Sequence, residues 1–294
     1  MSIRKTGQVL FAGAALSCTV PGPASTAEVL HSYGNSLGQE VINVIAVSSS
    51  KLRPLLPPGY TPVPAASVGF GGPDQGIVVI GNFRGIKPTV DGKRTAVEEQ
   101  VAIDMVVLVA EPSGAAQAGV SIPGAFHVYA LLIYTNDARY SASLRESGIP
   151  VELVSKIDYR RAINDETGVG TLSVNVPSAH SPLRTFNVGQ GYSPAPAAFN
   201  TVFWRKGPTG TGMLHFLDQP FKQGTAIGRI YTQPGSKWDR LFSGGGLGPC
   251  DPDPGTGYHC IVAPALNMRY DEGSRGTLLL LKESDALKFR MAPK

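Results

Sequence analysis

The chain has 294 residues, of which 35 are glycine and 24 are proline, while only 16% are charged. Glycine and proline interrupt regular elements and favour tight turns, so this composition favours many short strands over a helical protein. The formal net charge of +4 comes from scattered residues, which gives no basis for a nucleic-acid partner.

The N-terminus predicts an export signal. Arg4 and Lys5 precede a short apolar run over residues 9–20, and residues 25–27 are small enough to form a cleavage site. The apolar run is too short to span a bilayer. We therefore predict a signal peptide over residues 1–27, a secreted or periplasmic mature protein, and no stable membrane insertion. Two alternatives stay open, a frayed N-terminal strand and a lipid anchor on Cys18.

Apolar runs rich in β-branched residues recur along the rest of the chain, separated by glycine and proline clusters. Such runs predict strands, and short helices are allowed near residues 48–56 and 141–149. About ten to twelve strands with few short helices predict a mainly β fold, an antiparallel barrel or a sandwich. The predicted strands cover residues 41–47, 68–70, 76–83, 99–110, 126–135, 170–176, 199–204, 212–217, 226–232, 260–270 and 276–282.

No linker of distinct composition separates these strands. We therefore predict a single domain over residues 30–283, followed by a polar, mobile tail over residues 284–294.

Two cysteines, Cys250 and Cys260, stay in the chain after the predicted cleavage. An even number of cysteines in an exported protein, joined by a Pro- and Gly-rich loop, predicts one local disulfide. A metal site that includes His259 is the alternative, but no second Cys/His pair with zinc spacing accompanies it. We predict no metal and no cofactor.

Glu98 and Glu99 open a long apolar strand and are candidate acid–base groups. A carboxylate that enters a barrel interior loses solvation, which raises its pKa towards values useful for catalysis. Neighbouring residues of a strand point to opposite faces, so at most one of the two faces inward. Asp104 lies within the same run and needs a partner if it is buried; an arginine is the expected one.

The strand over residues 126–135 leads into a short polar segment with further candidates. Arg145 could bind a substrate carboxylate through two hydrogen bonds, although a structural ion pair is the alternative. Glu152 is a second candidate carboxylate. His127 and Tyr134 are candidate substrate-binding groups, and their odd separation predicts that they face opposite sides of the sheet.

Several segments resemble the acetoacetate decarboxylase superfamily. These are KLRPLLPPGYTPV at residues 51–63, the acidic strand start at Glu98, and HVYALLIYTNDARYSASLRESGIPVEL at residues 127–153, followed by GVGTLSVNV at residues 168–176. The resemblance implies a closed antiparallel β-barrel with an apolar pocket. It also implies a lysine that forms a Schiff base with a keto acid, beside a second lysine that depresses its pKa.

The match to the family is incomplete where the chemistry lies. Arg145, Glu146 and Pro150 match the family's segment, but its two lysines are Val151 and Glu152 here, and an arginine near the start of the family's domain is Gln39. The resemblance therefore implies the fold and the pocket and argues against the decarboxylase mechanism. Lys156 is the candidate for a displaced amine, with an ordinary solvated lysine as the alternative.

We accordingly predict an exported β-barrel enzyme, a lyase by resemblance, that acts on a small keto or carboxylic compound without a Schiff-base lysine. The alternative is a non-catalytic barrel that binds or carries a small molecule. A homo-oligomer is compatible with either function.

Overall fold

A computed structural model describes residues 27–195 and 197–282. The predicted tail, and all of the predicted signal peptide except Ala27, lie outside these residues, so both stay predictions. No helix in the described part of the chain is both long and apolar enough to cross a membrane.

Strands dominate the described chain, which confirms a mainly β fold with few short helices. The strands are β1 Glu28–Gly34, β2 Leu37–Ser48, β3 Gln75–Ile86, β4 Thr89–Val90, β5 Lys93–Arg94, β6 Glu99–Leu108, β7 Phe126–Thr135, β8 Val151–Leu153, β9 Asp158–Ile163, β10 Val169–Val176, β11 Leu183–Tyr192, β12 Ala197–Ala198, β13 Thr201–Lys206, β14 Gly210–Phe216, β15 Pro220–Thr232, β16 Gly248–Cys250, β17 His259–Tyr270 and β18 Arg275–Lys282. The α-helices are α1 Ser49–Leu52, α2 Gly114–Gln117, α3 Ala138–Glu146 and α4 Lys237–Phe242, and two 3-10 turns cover Arg53–Leu55 and Ala65–Val68.

The strands form one sheet that does not close, so the predicted closed barrel is wrong. The pairings run in the order β9–β10–β11–β15–β17–β2–β3–β6–β7–β13–β14–β18–β1–β4–β5, and among the described strands the two ends of this series do not pair with each other. The prediction of antiparallel pairing holds for most neighbours. The exceptions are β7 with β8 and β7 with β13, which are parallel. Helix α3 provides the crossover that parallel β7 and β8 need.

The central strands serve two apolar cores, one on each face of the sheet. On β6, Val101, Ile103 and Met105 belong to the first core, whereas Ala102 and Val106 belong to clusters on the opposite face. This alternation follows from the two-residue period of a strand. Side chains of β2, β3 and β6 therefore reach two separate interiors.

A β-bulge in β7 shifts this alternation. Met105 pairs with Leu132 and Val106 with Ala130, so Leu131 has no partner of its own on β6. The extra residue places His127 and Tyr134 on the same face, where they contact Trp204 and Trp238 of the first core. The expectation that the two side chains face opposite sides is therefore wrong.

Helix α3 begins at an aspartate cap and packs against the second core. The Asp137 carboxylate accepts hydrogen bonds from the backbone N–H groups of Arg139 and Tyr140, at 2.9 and 3.2 Å. The helix buries Tyr140 and Leu144. Gly148, with φ +81°, then lets the chain turn back towards β8.

Cys250 and Cys260 form a disulfide that joins β16 to β17, with their Cα atoms 5.0 Å apart. This pair agrees with the predicted local disulfide. The bond closes a loop of 10 residues in sequence separation, and the Arg184–Asp253 ion pair also holds this loop to β11.

We predict that replacing both cysteines by serine lowers the free energy of unfolding by about 2–3 kcal/mol, because the open loop gains entropy in the unfolded chain. Urea denaturation of the oxidised protein and the double variant measures this difference. Mass analysis under non-reducing conditions is the control, and two free thiols in the wild-type protein would contradict the assignment.

Candidate functional site

A cavity lies on the second face of the central strands, between β2, β3 and β6 on one side and β1, β13 and β14 on the other. Its volume is about 110 Å³. Its wall is mostly apolar and aromatic, with a small number of polar groups. The residues that carry its chemistry are Tyr33, Glu40, Gln100, Asp104, Tyr140 and Tyr270.

Glu40 enters the cavity from β2. Its strand neighbours Gln39 and Val41 are buried on the opposite face. The Tyr270 hydroxyl donates a 3.2 Å hydrogen bond to Glu40 Oε2. Burial raises the pKa of Glu40 to about 7, and the Tyr270 hydrogen bond offsets part of that shift.

Asp104 enters the same cavity from β6. Burial raises the pKa of Asp104 to about 8, and the nearby Glu40 carboxyl adds to the shift. Its Oδ1 atom is buried and has no hydrogen-bond partner among the described residues. No arginine lines the cavity among the residues that the structure describes, so the expected arginine partner is not found there; the charged neighbour of Asp104 is another acid, Glu40. Both acids are partly buried residues, and both line the cavity.

Gly81 of β3 lies between the two acids and makes their approach possible. A Cβ atom on Gly81 would lie 2.8 Å from Glu40 Oε1 and 3.5 Å from Asp104 Oδ2. Both carboxyl oxygens therefore converge on one small volume beside the glycine backbone. The close approach of other groups to a strand backbone is a recognised reason for glycine in a strand.

Tyrosines surround the carboxyl pair. Tyr33 of β1 and Tyr140 of α3 pack edge to face, with ring centroids 5.0 Å apart, and the Tyr33 hydroxyl lies 2.9 Å from Ser143 Oγ. Burial raises the pKa of Tyr140 well above its ordinary value, and Asp104 contributes to this shift. Tyr33, Tyr140 and Tyr270 thus stay protonated and can donate hydrogen bonds in the cavity.

Solved structures with the same architecture include the enduracididine biosynthesis enzyme MppR in complex with pyruvate. That comparison covers 86% of this chain and 91% of MppR at 13% identity, with a TM-score of 0.51. The chain therefore has the same overall fold as MppR. An acetoacetate decarboxylase also matches, over 85% of this chain and 88% of that chain at 10% identity, with a TM-score of 0.48. An acetoacetate decarboxylase-like enzyme from Sphingomonas wittichii RW1 matches over 86% of this chain and 91% of that chain at 10% identity, with a TM-score of 0.47.

At these identities the likeness establishes the fold alone. No protein-family model and no curated protein sequence matches the chain. Any argument about the chemistry of this chain must therefore come from its own residues.

The seven side chains that the sequence suggested for catalysis or substrate binding do not line the cavity. Glu98 is 83% exposed and pairs with Arg94 at 3.1 Å. Glu99 is 51% exposed and accepts a 3.0 Å hydrogen bond from Arg84 Nε. The expectation that one of these two acids loses its solvation is not met, because both lie at the solvated end of β6 and are neutralised by arginines.

The family-like segment around Arg145 forms a support instead of a cavity wall. Arg145 is exposed and donates hydrogen bonds to the Val151 carbonyl, at 2.9 Å from Nη2 and 3.3 Å from Nε. Glu146 lies 3.0 Å from His31 Nε2 on β1. These contacts hold α3 against its neighbouring strands. Lys156 is exposed in the turn between β8 and β9.

His127, Tyr134 and Glu152 lie on the first-core side. The Trp204 indole donates to His127 Nδ1 at 3.1 Å, and burial lowers the pKa of His127. Tyr134 accepts a 2.7 Å hydrogen bond from Trp238 and donates to the Ser181 carbonyl at 2.9 Å. Glu152 is the strand partner of Tyr134 and accepts a 3.1 Å hydrogen bond from Ser178 Oγ. Tyr134 and Glu152 thus come together, away from the cavity.

The carboxyl pair is suited to general acid–base chemistry. Two acids that share an apolar site do not ionise together readily, so one carries a proton while the other can accept one near neutral pH. A raised pKa brings both groups into the range in which proton transfer is efficient. Perturbed acids in a cavity are a physical indication of a functional site.

We predict that the free energy of unfolding falls as the pH rises from about 4 to about 8. The unfolded chain releases the two protons near the ordinary values of 4.5 and 3.8, whereas the folded protein keeps them until about 7 and 8. Each pKa unit between the folded and the unfolded value lowers the free energy of unfolding by about 1.4 kcal/mol once the pH exceeds both values. Urea denaturation of the wild type and Asp104→Asn across this range measures the loss.

The Asp104→Asn variant should have a flatter profile, with its largest gain over the wild type at pH 8. Asp158→Asn, at an exposed aspartate that pairs with Arg160, is the matched control and should keep the wild-type slope. Equal slopes for the wild type and Asp104→Asn would contradict a protonated Asp104.

Proposed function

We propose that the protein is an exported enzyme that performs general acid–base chemistry on a small organic compound, without a Schiff base. The observation that carries this proposal is the pair of Glu40 and Asp104 in one cavity, where desolvation raises the pKa of both carboxyl groups. The fold that the chain shares with the enzyme MppR, whose structure contains pyruvate, supports an enzyme-like function on small organic compounds. Export is supported by the sequence of residues 1–27 and is compatible with the disulfide.

A proton transfer at carbon suits this pair. The ionised carboxyl takes a proton from a carbon next to a carbonyl group, and the protonated carboxyl gives its proton to the carbonyl oxygen, which yields an enol. The reverse steps return both protons, so the cycle balances. In a β-hydroxy compound the acid would instead protonate the departing hydroxyl group, and water would be lost. Because both acids lie in a largely apolar wall, little water competes for these protons.

A Schiff-base mechanism needs an amine in the cavity, and no lysine belongs to its described wall. Val151 packs beside the second core, and Glu152 accepts its hydrogen bond from Ser178 on the other side. Lys156 is an exposed turn residue. We therefore expect no covalent trapping when the protein is treated with borohydride and keto compounds.

We predict that the protein catalyses the exchange of carbon-bound protons in a panel of small ketones dissolved in D₂O. The exchange rate, followed by NMR, should fall by about 10²–10⁴-fold in Glu40→Gln and in Asp104→Asn, because each change removes a group that moves a proton. Glu28→Gln and Asp158→Asn, at exposed acids that pair with Lys282 and Arg160, are matched controls and should keep the wild-type rate.

A ketone that binds without any exchange would contradict catalysis and favour the carrier function. Covalent trapping by borohydride would contradict the proposed mechanism, and mass mapping would then identify the amine. Undiminished exchange in both cavity variants would exclude Glu40 and Asp104 as the acid–base pair.

A further inference from the structure

The charges in the cavity wall have one sign only. Glu40 and Asp104 are its ionisable acids, and no lysine, arginine or histidine belongs to its described wall. The other titratable groups that face the pair are tyrosines, which come from β1, α3 and β17 and stay neutral. A carboxylate ligand would therefore meet two acids and no cation, which opposes its binding.

Aromatic rings form much of the remaining wall. They are Tyr33, Phe83, Tyr140, Phe199, Phe203, Phe216 and Tyr270. The faces of such rings carry a negative quadrupole and attract cations, including ammonium groups. A carboxyl pair within aromatic rings is therefore an electrostatic environment for a positive ligand.

Two of these rings lie close to Glu40 because Gly38 leaves space for them on β2. A Cβ atom on Gly38 would lie 2.9 Å from the Tyr270 ring and 3.3 Å from the Phe83 ring, so both rings pack directly on the β2 backbone. Tyr270 also donates to Glu40. A row of ring contacts, with successive centroids 5.4, 4.9 and 5.1 Å apart, continues from Tyr270 through Phe221 and Phe199 to Phe126, which is 41% exposed.

The hydrogen-bond inventory adds a requirement for a donor. Asp104 Oδ1 is buried and has no hydrogen-bond partner among the described residues, and an unsatisfied buried acceptor destabilises the protein, the more so when it is charged. An apolar neutral ligand would leave this cost in place. A protonated amine supplies the N–H donor and the countercharge together.

We infer that the cavity selects a small organic cation, a compound that carries a protonated primary amine. The inference rests on the proposed function in that it uses the same cavity, and it names the class of substrate. The ammonium group lies between the carboxyls of Glu40 and Asp104, while the carbon chain lies against the aromatic rings. Binding of the cation favours ionised acids, so the cavity releases protons when the amine enters.

Butylammonium, butanol and butyrate are probes of similar size that differ in charge, and calorimetry of the full mature chain compares them. At pH 8 we expect butylammonium to bind at least about tenfold more tightly than butanol, a difference of about 1.4 kcal/mol, and butyrate to bind more weakly than either. Repeating the titration in two buffers with different heats of ionisation should show proton release. Affinity for butylammonium should rise between pH 6 and pH 8.

Asp104→Asn tests the role of charge, and we expect it to weaken butylammonium by at least about tenfold while butanol changes little. Gly81→Ala tests the role of space without removing a charge, because the new Cβ would press on Glu40 Oε1. It should weaken all butyl probes. Asp158→Asn is the control and should bind butylammonium as the wild type does.

Equal or tighter binding of butanol or butyrate by the wild type would overturn the inference whether or not the variants fold. Absence of butylammonium binding up to about 10 mM would overturn it too.

The experiments also distinguish the failure of this inference from the failure of the proposed function. Proton exchange in neutral ketones that depends on Asp104, without a preference for ammonium, contradicts only the substrate class. Ammonium binding with no exchange in any bound carbonyl compound contradicts only the enzyme.

Discussion

Two carboxyl groups in one largely apolar cavity, with no cation in its described wall, set the main constraint on this structure. An isolated buried carboxylate is far too costly to keep, so such a group takes a proton, finds a cation, or is replaced by an apolar side chain. Glu40 and Asp104 take the first course, with their pKa values raised to about 7 and 8. Packing alone is better served by apolar residues, so a functional role is the better explanation for the pair.

The two-residue period of the strands separates this pair from the first core. Each central strand presents one set of side chains to the first core and the alternate set to the cavity side, so Val41 and Glu40 belong to different interiors. The segment that resembles the acetoacetate decarboxylase superfamily helps from outside. Arg145 binds the Val151 carbonyl and Glu146 contacts His31, which keeps α3, and with it Tyr140, at the cavity wall.

Local sequence patterns predicted the elements better than their assembly. The apolar runs identified most long strands, and the spacing and context of Cys250 and Cys260 identified the disulfide. Closure of the sheet depends on pairing between distant strands, which no local pattern encodes. The bulge at Leu131 cannot be seen in the sequence either, because β7 is a nearly continuous apolar run with no polar–apolar alternation to mark a change of face. One inserted residue then reversed the face predicted for Tyr134 relative to His127.

The sequence does not show that Glu40 and Asp104 form one site, because this too depends on how distant strands pair. The apolar run suggested that β2 begins at Val41, but the strand begins at Leu37, which places Glu40 inside the sheet. Asp104 was recognised as an acid in an apolar run, and that signal was sound. The expectation that an arginine pairs with Asp104 is wrong. The sequence does not reveal which side chains from other strands meet Asp104 across the sheet.

Glu99 and Asp104 both lie on β6, but their surroundings differ. Glu99 shares the face of Val101 and sits at the solvated strand end beside Arg84, whereas Gln100, Ala102, Asp104 and Val106 all face the cavity. An acid at the edge takes its countercharge from the protein. Asp104 lies in the cavity, whose described wall contains no arginine, so its charge is balanced by a proton from solvent or by a cation from a ligand. The raised pKa values indicate the proton, and the cation is the ligand that we infer.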